Sequence, residues 1–296
     1  MWKKVREAAA GLEVEGSLRI HIEYQDPSGE MKSLEISREF LVCQRLERGD
    51  QLVRSTADEG HVDWVRNPRY WFEATQKPNV DKPFFSGGAE HAAEIPRSMP
   101  LGAQEYANRL DTGNRIWTFT LEELLNSSEF RLVAANWIEA NQTRLARVEF
   151  EFLGSRRDGP KFPGGRYWGE LDPENHWQIV RCGVQVPEEN LIYEVQNTFQ
   201  LTPDGLPFPK QIRQLRMISG APDRDESIYE FSAPRECARP SEAFTLAGYG
   251  FSESLVQVRS SRAYLRLVLL NLGIVGLILS IVLYRYFRRR RQRTAE

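Results

Sequence analysis

Apolar and polar residues alternate with period two along most of this chain, and that period restricts the fold more than any motif does. In "SLRIHIEY", Leu18, Ile20, Ile22 and Tyr24 fall on one face and Arg19, His21 and Glu23 on the other. The segment "MKSLEISREFLV" repeats the pattern with Leu34, Ile36, Phe40 and Val42, and "ARVEFEF" with Val148, Phe150 and Phe152. "LIYEVQNTFQL" sets Leu191, Tyr193, Val195, Phe199 and Leu201 against Glu194, Gln196, Thr198 and Gln200. Such segments are strands buried on one face and wet on the other.

Turn-forming stretches separate these segments: "QDPSGE", "ERGDQ", "LDPEN", "TPDGLP" and "SGAPDRDE". They leave almost no room for helices between consecutive strands, so the strands pair as an antiparallel meander. The expected fold is mainly β, a large curved antiparallel sheet in the form of a half-open barrel with one or two short helices. "TFTLEELLNS" predicts a helix capped at Thr120, with Glu123 in capping-box spacing. "GAQEYANRL" is a second candidate. Residues 75–102, rich in Pro and Gly, read as a long loop or lid, and residues 233–262 read as irregular.

The C-terminus carries a different signal. Leu267–Tyr284 is 18 residues long with only Asn271 and Ser280 polar. About 20 apolar residues span a bilayer as a helix, so Leu267, Leu270, Ile274, Leu277 and Ile281 are the expected membrane anchor. Tyr264, Tyr284 and Tyr286 sit where interfacial aromatics belong. Arg285, Arg288, Arg289, Arg290 and Arg291 follow as a cytoplasmic charge anchor, which places the body outside the cytoplasm by the positive-inside rule. The expected arrangement is a curved β-domain over 1–240, a juxtamembrane linker over 241–262, a transmembrane helix over 263–286 and an Arg-rich cytoplasmic tail over 287–296. "MWKKVREAAAGLEVEGSLRI" has a basic start but no apolar core, so it is not a signal peptide. Either a further segment lies upstream, which is the preferred reading, or the protein is tail-anchored with its body in the cytoplasm.

Charge and chemistry narrow the function. Of 39 basic and 41 acidic side chains, seven Arg and one Glu lie from Ala263 onward, leaving 32 and 40 in the body. An acidic body is a poor nucleic-acid binder, because such binding needs basic surface to replace counterions. Zincin, hydrolase-elbow, P-loop and dinucleotide motifs are missing. "HAAE" at His91–Glu94 reads as loop, and no metal, cofactor or catalytic residue is expected. Cys43, Cys182 and Cys237 form no C-x-x-C pair. At most one disulfide can form, and the preferred reading is buried thiols acting as small apolar side chains.

The densest polar stretch, Gly164–Val186, holds Glu170, Asp172, Glu174, His176 and Cys182. Its composition predicts two strands joined by "DPEN". Pro173 has a preset φ, Asp172 can cap the turn, and Asn175 tolerates a left-handed conformation. A hairpin tip splays side chains outward, which argues against a site.

That frame carries a resemblance. "WGELDPENHWQIVRCGV", then "LIYEVQNTFQLTPDGLPFPKQIRQL", then "ESIYEFSA" resembles the Lol-type lipoprotein-carrier superfamily. These are periplasmic half-barrels that include the outer-membrane lipoprotein carriers and the sensor RseB. Gly169–Pro173 and Gly205–Leu206–Pro207 occupy the matching places, within residues 110–235. "FTLAGYGFSE" before an apolar span looks like membrane-anchored bacterial relatives. The resemblance implies a curved sheet whose apolar face holds lipid or acyl chains, and it brings no catalytic residues. Soluble carriers lack a C-terminal anchor, and a shuttle cannot be tethered. The expected function is therefore a single-pass, inner-membrane binding protein that holds a lipid, acyl group or lipoprotein, as a sensor or scaffold. The expected apolar lining is Val148, Phe150, Phe152, Tyr193, Val195 and Phe199. The alternatives are a β-rich adhesion or scaffold domain with no small ligand, and a hydrolase built on Glu170, Asp172 and His176.

Overall fold

A computed structural model describes residues 11–90, 106, 109, 110, 113, 115, 116, 119–128, 130–140, 142–152, 165–186, 190–219 and 223–255. The chain divides into two compact units, Met1–Glu253 and Ser254–Glu296. The second is described only at Ser254 and Leu255, so the expected span, its anchor residues and its arginines lie outside the described residues. Among the described residues, no helix is long and apolar enough to cross a membrane.

The alternation is realised as two meanders. The first runs β1 (Leu12–Gln25), β2 (Met31–Arg45), β3 (Asp50–Ala57), β4 (Gly60–Arg66), β5 (Tyr70–Gln76) and β6 (Phe84–Glu90). Two short strands follow, β7 (Arg115–Ile116) and β8 (Phe119–Thr120), then helix α1 (Leu121–Leu125). The second meander runs β9 (Phe130–Ala140), β10 (Thr143–Phe152), β11 (Gly165–Asp172), β12 (Gln178–Val186), β13 (Leu191–Leu201), β14 (Pro207–Ile218) and β15 (Arg224–Phe231). β16 (Arg235–Glu236) pairs with the start of β1. All pairings are antiparallel, and the main sheet is one path from β6 through β1 and β15 to β9. Most neighbours are joined by short turns. β1 and β15, the first and last strands of the two meanders, also pair, with Gly16 facing Phe231 and Glu23 facing Arg224.

That topology has a consequence for the inner face. The two edges of the main sheet, β6 and β9, follow one another among its strands, with β7, β8 and α1 between them in the chain. The residues between them must travel from one edge to the other. Tyr106, Leu110, Ile116, Leu121 and Leu124 from this crossover join one apolar core with residues of the curved sheet. Phe40 anchors that core, its ring 5.0 Å from Tyr106 and 5.4 Å from Phe231. Thr120 caps α1 as predicted: its hydroxyl accepts the Glu123 amide, and the Glu123 carboxylate accepts the Thr120 amide.

β6 falls within the stretch expected to be loop, because Phe84 and Phe85 pair in register with Thr75 and Ala74. The second helix candidate, "GAQEYANRL", and the His91–Glu94 stretch lie largely or wholly outside the described residues.

The outer face of β2–β5 is covered by a strap, residues 235–253, which includes part of the stretch read from the sequence as a juxtamembrane linker. Its short 3-10 turns bury Phe244 and Leu246 completely. Cys237 forms a disulfide with Cys43, with Cα atoms 5.9 Å apart, inside the usual range. The buried-thiol reading therefore holds for Cys182 and fails for Cys43 and Cys237, whose 194-residue separation hid their proximity.

Polar contacts complete the strap. Asn67 donates to the Phe244 carbonyl at 2.9 Å, and the Tyr70 hydroxyl accepts the Leu246 amide at 3.1 Å. Tyr249 donates to Asp63 at 2.7 Å, and Asp63 takes both arms of Arg54 at 2.6 and 2.7 Å. Buried Glu13 takes Arg235 at 2.7 Å and Arg239 at 2.5 Å.

Acid is expected to loosen this strap. Burial holds the His61 imidazole below its ordinary value despite nearby Asp63. Burial alone would raise Glu13, but hydrogen bonds from Arg239 and Arg235 hold it below the usual carboxylate range. Unfolding lets both groups bind protons more readily, so each contributes stability that is lost as pH falls. The thermal midpoint is expected to be flat above pH about 7 and to fall in two stages, below the ordinary histidine value of about 6.5 and then below about 4.5. His61→Gln should remove the first stage. A midpoint that rises on acidification contradicts this assignment.

Candidate ligand-binding face

Cross-strand register assigns the side chains to two faces, since directly paired residues point the same way. One inner row reads Ile36, Ile20, Ser227, Gln214, Val195, Cys182, Gly169, Val148 and Ala135 from β2 to β9. The adjacent row reads Leu34, Ile22, Asp225, Arg216, Tyr193, Val184, Tyr167, Phe150 and Leu132. The inner face therefore has two apolar fields. A polar seam on β14 and β15 separates them.

The two fields differ in cover. On β10–β13, Phe150 and Val195 are buried in the core, and Val148 and Tyr193 pack against it. Phe199 is half-buried beside a bulge and lies against Gly113 of the crossover. Phe152 pairs with Gly165, and its side chain lies outside the described residues. On β1–β2, Ile20, Ile22 and Ile36 are half-buried, while Leu34 is 47% exposed. That second field was written in the same alternation but lay outside the stretch carrying the resemblance.

Gly169, the glycine of the Gly-x-Leu-Asp-Pro frame, has a physical reason. A Cβ there would lie 2.9 Å from Ile116 Cδ1, so its lack of a side chain seats the crossover on the sheet. Gly169→Val overpacks this contact and should cost about 1–3 kcal/mol. Limited proteolysis within residues 106–125 should quicken relative to wild type. Unchanged cleavage and an unchanged midpoint contradict this seating.

The polar hairpin tip holds no assembled site. Glu170 is buried on the outer face and takes Arg147 at 2.9 Å. Asp172 Oδ1 caps the turn by accepting the amides of Glu174 and Asn175. The left-handed residues are His176 and Trp177, at φ 56° and 60°, rather than Asn175. Around them the outer face is a lattice of ion pairs, including Arg166–Glu149 at 2.6 Å and Arg181–Glu194 at 3.0 Å. The guanidinium groups of Arg147 and Arg181 lie 4.8 and 5.2 Å from the Trp168 ring. Such exposed pairs contribute little individually. A groove of about 790 Å³ along β1–β3 and β15 is lined by Ile20, Ile36 and Ile228 together with Arg19, His21, Glu35 and Glu226, and His21 lies between Glu23 and Glu35 at 3.4 and 3.5 Å.

Among the described residues, one grouping could offer three metal donors: Glu13, Cys43 and Cys237. Its sulfurs are joined to each other and its carboxylate is held by two arginines, so it acts as a structural knot.

These features define an open antiparallel sheet with an apolar inner face and an edge-to-edge crossover packed onto it. No protein-family profile matches the chain, and no curated protein sequence matches it. The chain is similar to several solved structures. A LolA superfamily protein from Nitrosomonas europaea is 12% identical, with 82% of this chain and 96% of that chain covered at a TM-score of 0.40. A DUF1329 family protein from Desulfovibrio piger is 11% identical, with coverage of 86% and 96% and a TM-score of 0.43. The lipoprotein LppX of Mycobacterium tuberculosis is 9% identical, with coverage of 78% and 90% and a TM-score of 0.26.

Proposed function

We propose that this protein binds an apolar ligand, a lipid or the acyl group of a lipoprotein, on the inner face of its curved sheet. The observation that carries the reading is the split inner face. One apolar field is sealed by the crossover, and the other, Ile20, Ile22, Leu34 and Ile36, is left half-buried or exposed. Exposed contiguous apolar surface is uncommon on a folded domain unless something occupies it. The acyl chain lies along this open field, while Tyr193, Val195, Val148 and Phe150 form the sealed field beyond the seam. Phe199 extends the sealed field. This reading requires no catalytic group.

The protein acts at a membrane in this proposal, held by Leu267–Tyr284 with its body on the extracytoplasmic side and its arginines in the cytoplasm. The buried Cys43–Cys237 disulfide supports an oxidising compartment for the body. A tethered binder of this kind suits a sensor or scaffold that presents or monitors a lipidated partner. Native mass spectrometry of the intact chain purified from membranes tests the reading. A retained lipid or acyl species, lost in a Leu34→Asp and Ile36→Asp double variant, is the expected result. A folded, ligand-free protein that takes up no lipid would favour an adhesion or scaffold domain instead.

A further inference from the structure

We propose, building on the apolar-ligand reading, that the ligand is an anionic amphiphile with its acyl chain on the β1–β2 field and its head at the β14–β15 seam. Gln214 carries this inference. It is 93% buried (relative exposure 7%), on the inner face opposite Ser227 and Val195, and its Nε2 group donates to no acceptor among the described residues. A buried donor without an acceptor is costly, and native structures rarely keep one without a reason. An incoming oxygen acceptor would satisfy it.

Charge selects among acceptors. Arg216 stands two residues along on the same face, already 3.2 Å from Asp225. Arg109 projects its guanidinium over the Tyr229 ring at 5.1 Å. Arg38, opposite Leu18, has no acidic partner among the described residues. Among the described residues, Arg216 at the seam and Arg38 on β2 stand on this face against Asp225, which suits a carboxylate or phosphate ester better than a neutral head. Geometry fits the tail. Ile20 pairs with Ser227, which pairs with Gln214, so the apolar field begins two strand spacings, about 10 Å, from the Gln214 strand.

The test is displacement of a fluorescent fatty acid from the intact chain by oleate, its methyl ester, phosphatidylglycerol and inorganic phosphate. Oleate and phosphatidylglycerol should compete about tenfold better than methyl oleate, because only their heads are charged. Inorganic phosphate alone should not compete. Gln214→Leu should fold with an unchanged or higher Tm, since it removes an unpaired donor, and should lose the preference for the charged head. Equal competition by oleate and its methyl ester overturns the head-group inference while leaving the apolar site standing. Retained preference in Gln214→Leu also overturns it. Competition by inorganic phosphate alone shows an anion site without an acyl channel. A probe that never binds removes the apolar-ligand reading itself.

Discussion

Replacing Cys43 or Cys237 by serine should cost this protein about 5 kcal/mol, the largest loss expected from any single side chain. The disulfide joins residues 194 apart in sequence. The chain-entropy relation for a loop of that size gives a value near 5 kcal/mol at room temperature, an upper estimate because real unfolded chains retain structure. The physical consequence is local as well as global. The bond pins the start of the strap to β2, and the strap buries Phe244 and Leu246 against the outer face. Denaturant melts of Cys43→Ser and of the reduced wild-type protein should shift together. A loss below about 1 kcal/mol in both would mean that packing and the Glu13–Arg235–Arg239 cluster hold the strap without the covalent link.

Phe40→Ala should cost about 3–5 kcal/mol, the range for deleting a buried aromatic ring. Phe40 is 3% exposed and its ring touches Tyr106, Tyr229 and Phe231. The substitution removes the contact that seats Tyr106 of the crossover and leaves an apolar void beneath it. Two readouts should therefore move in opposite directions. The thermal midpoint should fall, and uptake of a small apolar fluorophore at temperatures below the midpoint should rise. A lower midpoint with unchanged uptake would place Phe40 in the core without a role in holding the crossover down.

The strands were legible because period-two alternation is a local property. Each of β1, β2, β10 and β13 could be read from its own residues, and so could the capping box at Thr120 and Glu123. What the sequence did not show depends on long-range geometry. The pairing of β1 with β15 closes more than 200 residues of chain, and no local signal marks it. The Cys43–Cys237 bond was hidden for the same reason. The β1–β2 field was visible as alternation, but exposure is set by where the crossover lies, which the sequence does not state. Gln214 looked like one more polar residue in a strand; its burial and missing acceptor exist only in three dimensions. The positive φ values at His176 and Trp177, where Asn175 was the natural candidate, show that the hairpin register overrides residue preference within a tight turn.

The central claim is that an apolar chain lies against the inner face. Photo-crosslinking of the intact chain with a diazirine-bearing fatty acid, followed by peptide mapping, tests it most directly. Labels are predicted on Ile20, Ile22, Leu34 and Ile36. Labels confined to outward-facing residues such as Arg19, Ser37 and Thr56, or spread evenly over both faces, would contradict it.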